Sequence, residues 1–333
     1  MKKISVVGMG SWGTTLAILL ADKGYKVLGW EWQEKLATQM QKERENKEFL
    51  PGCKFPPNLT ISNNLEEVAV YGEIIVMAVP SHVVRKICTL AKDIFGKKQI
   101  VNVAKGLEIE TLMRMSEVIN SVTDLSYDKI ATLSGPTHAE EVSKKLPATI
   151  VAASNNKEFA QTVQKIFMTD YFRVYTTSDL LGVELGGSSK NVIAIAAGIV
   201  DELNIGDNAK AALITRGLRE IMRLGAKCGA NPHTFSGISG IGDLIVTCNS
   251  KHSRNRYVGE QLARGRKLEE ITSSMNMVAE GIKTTKAIKR YSDKMGVEMP
   301  ITNELYKVLF NNSSPEKAIT NLMTREARSE DEF

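Results

Sequence analysis

Lys190 stands in GGSSKNVIAIAAG, residues 186–198, as the one charged side chain in a run of small and apolar residues. At the head of a helical run about to enter a core, a lysine costs free energy unless something charged meets it. Two readings follow. Either the stem packs and the ammonium snorkels to water, or Lys190 is a proton donor whose pKa is shifted by burial and a carboxylate. Asp243, set among glycines and apolar residues in GISGIGDLIVTC, is the natural carboxylate to pair with it, because a buried carboxylate is rarely left alone. Close behind lies SRNR, Ser253 to Arg256. Arginine forks and an asparagine amide suit a phosphate dianion, although a basic helix cap on a solvated face reads the same way.

The N-terminal half offers chemistry of another kind. GMGSWG follows ISVV directly and puts Gly8, Gly10 and Gly13 in G-x-G-x-x-G spacing ahead of the helical TTLAILLADKG. The first glycine permits a tight turn, the second lets a pyrophosphate approach the backbone, and the third lets helix and strand pack closely. A helix N-terminus adds partial positive charge. KVLGWE closes about twenty residues on, and its Glu31 can accept from ribose hydroxyls and repel a 2′-phosphate, which leans toward NAD over NADP. Trp32 either stacks on an adenine or packs on its own helix. Two further turns face the same crevice: IVNVAKGLE delivers Lys105 at a strand's carboxyl end, and LSGPTHAEEV brings Gly135, Pro136 and Thr137 to a helix start, where backbone N–H groups and a hydroxyl meet an oxygen-rich ligand or simply cap the helix.

Elements that could carry these residues alternate in the first half: ISVVG, KVLGWE, IIVMAV, IVNVA, KIATLS, ATIVAAS and FRVY read as strands with helices between them. That pattern means βαβ units and a mostly parallel, doubly wound sheet. After Tyr175 the apolar spacing is helical, in 189–203, 209–229, 256–264, 278–295 and 302–310. The expected division is therefore an α/β domain over 1–180 and an all-α domain over 181–333, with a tail from Thr324 that frays at its end.

The chain has 333 residues, 43% of them hydrophobic, enough for two ordinary cores. Its 43 Lys+Arg against 38 Asp+Glu give +5, scattered along the sequence, which points to anionic small ligands and away from nucleic acid. Cys53, Cys88, Cys228 and Cys248 form no C-x-x-C pair, and the four histidines show no ligand spacing, so no metal and a reducing cytoplasm are expected. The apolar N-terminal segment is broken by glycines and followed by no A-x-A site, which favours a folded element over a secretory signal, and no membrane insertion is expected.

Taken in order, VVGMGSWGTTLA, VPSH, AKGLE, SGPTHAEE, LGGSSKNVIAIAAGI, GDNAKAALITRGL, GIGDLIVTC, SRNRYVG, VAEG and VEMPIT closely resemble the bacterial NAD(P)-dependent glycerol-3-phosphate dehydrogenases over essentially the full length. The resemblance implies an N-terminal Rossmann domain and a helical domain of the 6-phosphogluconate dehydrogenase-like kind. It also implies reversible reduction of dihydroxyacetone phosphate to sn-glycerol 3-phosphate, the backbone of bacterial glycerophospholipids. By resemblance, Lys190 is the proton-transfer lysine, with Asn191 beside it. Asp243 and Lys105 orient it and the substrate oxygens, Gly135 and Thr137 line the site, and Ser253, Arg254 and Asn255 hold the phosphate. Ser11, Trp12, Trp32, Lys105, Ala139, Arg254, Val278 and Glu280 match cofactor positions. Relatives favouring NADP tend to carry a basic or small polar residue where this chain has Glu31-Trp32, so NADH is expected to serve at least comparably. The sequence does not set the oligomeric state; an exposed apolar helical face in the second domain would favour a homodimer. Two rivals stay open: a β-hydroxyacid dehydrogenase relative, in which an asparagine usually follows the lysine by three positions where Ile193 stands here, and a nucleotide-binding sensor without turnover.

Overall fold

The computed structural model describes residues 2–275 and 278–330. The chain forms two compact units, one from Met1–Ala104 with Met115–Leu180 and the other from Lys105–Arg114 with Leu181–Phe333.

The first unit is built on one eight-stranded sheet. Its strands are β1 (Lys3–Val7), β2 (Lys26–Trp30), β3 (Leu59–Ser62), β4 (Ile74–Met77), β5 (Gln99–Asn102), β6 (Ile130–Ser134), β7 (Ala148–Ala153) and β8 (Phe172–Thr177). They lie in the order β3-β2-β1-β4-β5-β6-β7-β8, and every pairing is parallel except that of β6 with β7. The first six follow the doubly wound dinucleotide order, whose ligand crevice lies beyond the carboxyl ends of the strands where the winding reverses, between β1 and β4. β4 and β6 are buried along their whole length, as strands covered on both faces must be, and this is why they read as unbroken apolar runs. β3 departs from the expected seven strands. It is short and edge-lying, with Thr60 exposed, and Asn58 fastens its start by donating to the Ala21 and Tyr25 carbonyls at 2.8 and 2.6 Å.

The second unit is helical, and its core gathers around the 23-residue helix Leu180–Glu202. Lys190 lies near the middle of this helix and not, as the sequence suggests, at its head. Gly182, Gly186 and Gly187 look like a helix break, yet they sit inside the helix, and at Gly186 the reason is packing: a Cβ there would meet the Ser239 carbonyl oxygen at 3.1 Å. Further along the same helix, a Cβ at Gly198 would lie 2.0 Å from the Arg256 carbonyl oxygen, so the neighbouring helix Arg254–Ala263 crosses at backbone contact. This is the one helix among the described residues long and apolar enough to cross a membrane, and 89% of its most apolar window is buried in the protein.

The division differs from the expected 1–180 and 181–333 at residues 105–114. This strap leaves after β5 and returns before the helix Met115–Thr123, yet it belongs with the helical unit. Leu107 is buried in the second core, and the strap's two ends, Lys105 and Arg114, form ion pairs there. The described part of the tail is paired, while the expected fraying of its end falls on residues 331–333, outside the described residues. Arg325 and Arg328 pair with Glu298, and Glu330 pairs with Arg216 and Arg219, although pairs this exposed contribute little each.

Candidate active site

In the helical unit the wide turn Ile238–Gly242 runs into the helix Asp243–Asn249. Glycine is required within that turn, since a Cβ at Gly240 would lie 2.1 Å from the Phe235 carbonyl oxygen. Asp243 thus falls in the first turn of a helix, where the helix dipole favours its negative charge. Its Oδ1 accepts from Lys190 Nζ and its Oδ2 accepts from Lys105 Nζ at 2.8 Å. Lys190 Nζ also donates to Thr247 Oγ1 at 2.7 Å, and that hydroxyl donates to the Asp243 backbone carbonyl at 2.6 Å. Residues far apart in sequence thereby share one charged centre.

Burial governs the electrostatics of this centre. Lys190 is 6% exposed and Asp243 1%. Loss of water pulls the Lys190 pKa down to about 7, against the pull of Asp243 and with help from the neighbouring Lys105 charge. Burial alone would raise the Asp243 carboxyl, but the Lys105 and Lys190 charges beside it hold it below the ordinary carboxylate range. The site therefore presents a fixed carboxylate and an amine that changes charge near neutral pH, the property wanted of a general acid and base. Thr247 escaped the sequence reading. It lies one helical turn from Asp243, a spacing that puts the two on one face.

A second group surrounds the start of the helix Arg254–Ala263. The Ser253 hydroxyl caps it by accepting from Arg256 N at 3.2 Å. Asn255 is buried, and its Oδ1 accepts from Gly281 N at 2.9 Å. Asn191 belongs to the same cluster: a Cβ at Gly281 would lie 2.7 Å from both the Asn191 carbonyl oxygen and Asn255 Oδ1. Arg254 is exposed and donates to the Val278 carbonyl at 3.0 Å, while Glu280 opens the helix Glu280–Met295. Arg256 plays a different part from the one SRNR suggests. Its guanidinium pairs with Asp201 at 2.7 Å and Glu260 at 2.9 Å, which occupies it within the protein and ties the helix start to the end of Leu180–Glu202.

In the sheet unit, Gly8 has φ +105° and donates to the Trp30 carbonyl at 3.1 Å. A Cβ at Gly13 would lie 1.9 Å from the Gly8 carbonyl oxygen, whereas one at Gly10 would meet nothing within 4 Å. The outer glycines are thus required by the protein's own packing, and the middle one faces open space. That space, in front of the first turn of the helix Ser11–Asp22, fits a pyrophosphate lying on backbone N–H groups. Asn46, also missed in the sequence, braces the loop: its amide is fully buried and donates to Met9 O at 2.7 Å and Thr14 Oγ1 at 2.8 Å. Ser11 is buried and Trp12 packs on Phe172 with ring centroids 6.4 Å apart. Glu31 follows β2 and is buried, with one carboxylate oxygen accepting from Gln33 N at 3.0 Å and its pKa raised by that burial. Trp32 is 69% exposed. Thr137 Oγ1 donates to the Gly135 carbonyl at 3.2 Å, and Ala139 is buried at the start of a short helix.

Residues 3–160 match the family model for the N-terminus of NAD-dependent glycerol-3-phosphate dehydrogenase, and residues 179–320 match the model for its C-terminus. The chain belongs to the NAD-dependent glycerol-3-phosphate dehydrogenase family. A glycerol-3-phosphate dehydrogenase [NAD(P)+] of Chlorobium phaeobacteroides is 52% identical over 98% of this chain and 99% of its own length. Its counterpart in Lysinibacillus sphaericus is 48% identical over 99% and 98%. Among solved structures, the glycerol-3-phosphate dehydrogenase of Coxiella burnetii superposes with a TM-score of 0.92 at 36% identity, covering 97% of this chain and 99% of that one.

Proposed function

We propose that this chain catalyses the reversible NAD(P)H-dependent reduction of dihydroxyacetone phosphate to sn-glycerol 3-phosphate, feeding glycerophospholipid synthesis, with Lys190 as general acid and base. The observation that carries the reading is the buried Lys190–Asp243–Lys105 centre, in a chain whose relatives carry that activity in their names. An ammonium has three N–H donors. Asp243 and Thr247 take two from Lys190, which leaves one for the ketone oxygen of the substrate. When bound, the reduced nicotinamide supplies the hydride that the carbonyl carbon accepts. Lys190 gives its proton to the oxygen in that direction, and in reverse the neutral amine takes the hydroxyl proton. Asp243 keeps Lys190 oriented and offsets the charge that forms and disappears there, while Lys105 adds a positive charge toward the substrate oxygens.

In this reading the substrate is held by Lys105, Gly135, Thr137, Asn191 and Asp243, with Ser253, Arg254 and Asn255 on its phosphate. The dinucleotide is held by Gly8, Gly10, Ser11, Trp12 and Gly13 at its pyrophosphate and by Glu31 and Trp32 at its adenosine, with Lys105, Ala139, Arg254, Val278 and Glu280 completing the set. Residues 1–180 apart from the strap supply most of the nucleotide contacts and also Gly135 and Thr137 toward the substrate, while the remainder carry the proton-transfer centre together with Arg254, Val278 and Glu280 toward the nucleotide. Glu31 favours NAD, since a carboxylate repels a 2′-phosphate. The working form in this reading is a cytoplasmic homodimer.

The test is the loss of reduced-nicotinamide absorbance when dihydroxyacetone phosphate is added to the purified protein, with NADH and NADPH in parallel. Oxidation of either is the expected result, with NADH at least comparable. No oxidation of either overturns the assignment.

A further inference from the structure

Lys105 reaches Asp243 from the strap 105–114, so whatever fixes the strap fixes Lys105. The strap closes on itself by an antiparallel bridge between Leu107 and Arg114, with Glu108 N donating to the Met113 carbonyl at 2.9 Å and Leu112 N donating back to the Glu108 carbonyl at 2.8 Å. Leu112 takes a left-handed φ of +63° to turn the chain, a conformation a leucine adopts only where its surroundings impose it. Three fasteners join this loop to the rest of the helical unit. Leu107 packs in the core, Arg290 donates to the Ile109 carbonyl at 2.6 Å, and Arg114 pairs with Glu184 at 2.7 Å, the two side chains being 11% and 4% exposed.

The last fastener is the informative one. A buried ion pair adds little net stability over two apolar side chains of similar size, so stability alone gives no reason for charges at that point. What a planar guanidinium on a carboxylate does supply is a directional contact, here from Arg114 Nη1 to Glu184 Oε2. Glu184 lies on Leu180–Glu202, the helix that also carries Lys190, so the pair references the strap to the very element whose lysine Lys105 must face. We infer that Arg114, through its buried pair with Glu184, is a positioning residue that holds Lys105 on Asp243 for the proton-transfer reaction. The inference rests on the reading of Lys190 as the acid and base.

The experiment removes both charges with Arg114→Leu/Glu184→Leu, so that neither is left buried alone, and repeats the change in a Lys105→Met background. The primary readout is the titration of Lys190 in the ligand-free protein, followed by NMR of carbon-labelled lysine. The charges around Lys190 are Asp243 and Lys105, with Asp201 and Lys210 further off beside the Cys248 thiol, itself pushed up to about 12 by burial and so uncharged. With Lys105 displaced, Lys190 faces Asp243 without a competing positive charge, and its titration moves to higher pH, as in Lys105→Met. The steady-state readout is a fall in kcat/KM for dihydroxyacetone phosphate by ~10-fold or more, the scale of a misplaced group, and no further fall in the Lys105→Met background. Arg114→Lys, which keeps the charge and loses the planar guanidinium, should show the same changes in smaller degree and serves if the double variant does not fold.

An unshifted Lys190 titration, or a loss that multiplies with Lys105→Met instead of merging with it, overturns the inference. A wild-type protein that oxidises neither NADH nor NADPH overturns the functional reading instead, and the NMR titration still decides whether Arg114 positions Lys105.

Discussion

In the proposed reading, the glycine turn at residues 8–13 and the charged centre around Asp243 solve the same problem, holding a small anionic molecule still, by opposite means. In the turn the working groups are backbone: Gly8, Gly10 and Gly13 lie within six residues, and their value is the absence of side chains. In the charged centre the working groups are side chain tips from 105, 190, 243 and 247, and Lys105 and Asp243 are separated by 138 positions. A backbone site is a local property of the chain, and a charged side-chain site is a property of the finished core. The first tolerates almost any side chain nearby and no Cβ within it; the second tolerates repacking and no change of charge.

The largest expected effect is at Lys190. Lys190→Met keeps the volume and removes the acid, so kcat should fall by ~10² or more with NADH affinity unchanged, measured by steady-state kinetics and fluorescence titration. In the wild type the proton-donating form is lost as pH rises through about 7. The reductive kcat should therefore fall across that range and the oxidative kcat rise, and Lys190→Met should abolish both limbs. A variant within a few-fold of wild type would leave Lys190 a structural lysine, buried against Asp243 and Thr247.

The turn breaks differently at each glycine. At Gly13 a Cβ collides with backbone, so Gly13→Ala should lower stability by about 1–3 kcal/mol, the range for overpacking, and dinucleotide binding with it. Gly10 has φ −67°, open to alanine, and no neighbour within 4 Å of a Cβ. Gly10→Ala should leave thermal unfolding within about 0.5 kcal/mol of wild type while weakening dinucleotide binding. Equal affinity in Gly10→Ala and wild type would mean that the pyrophosphate does not approach there. The smallest effect is at Glu31, where Glu31→Ser removes a charge of the wrong sign for a 2′-phosphate. The ratio of kcat/KM for NADPH to that for NADH should rise about fivefold, corresponding to roughly 1 kcal/mol for one charge pair near water, and an unmoved ratio would count against Glu31 as the selector.

The same contrast explains what could be read from the sequence. The glycine turn and the strands around it were legible because backbone demands leave residues at fixed spacing and buried parallel strands leave apolar runs. β3 was not: four residues with Thr60 outward follow Pro56 and Pro57 and read as loop. Lys190 and Asp243 could be matched because each was a lone charge in apolar surroundings. Thr247 and Asn46 could not, because a hydroxyl or amide among neutral residues leaves no pattern until the fold brings it to an acceptor. The start of Leu180–Glu202 was misplaced because Gly186 answers to Ser239 and Phe235, contacts that local spacing does not encode. Arg256 was grouped with the phosphate residues for the converse reason, since nothing adjacent announces Asp201 as its partner.

The strap gives this chain an order of events during synthesis. A ribosome has delivered every strand of the sheet by Thr177, yet residues 105–114 still lack the core that receives Leu107, the helix that carries Glu184 and the carboxylate that receives Lys105. Closing so long a loop adds only modestly to its entropy cost, which grows as the logarithm of length; the wait is in translation time. Until Asp243 emerges, a nascent sheet domain carries an unsatisfied ten-residue protrusion with a buried-type leucine and a lysine in search of a partner. A fragment cut at residue 180 would carry those ten residues without Glu184 and Asp243, the carboxylates with which Arg114 and Lys105 pair.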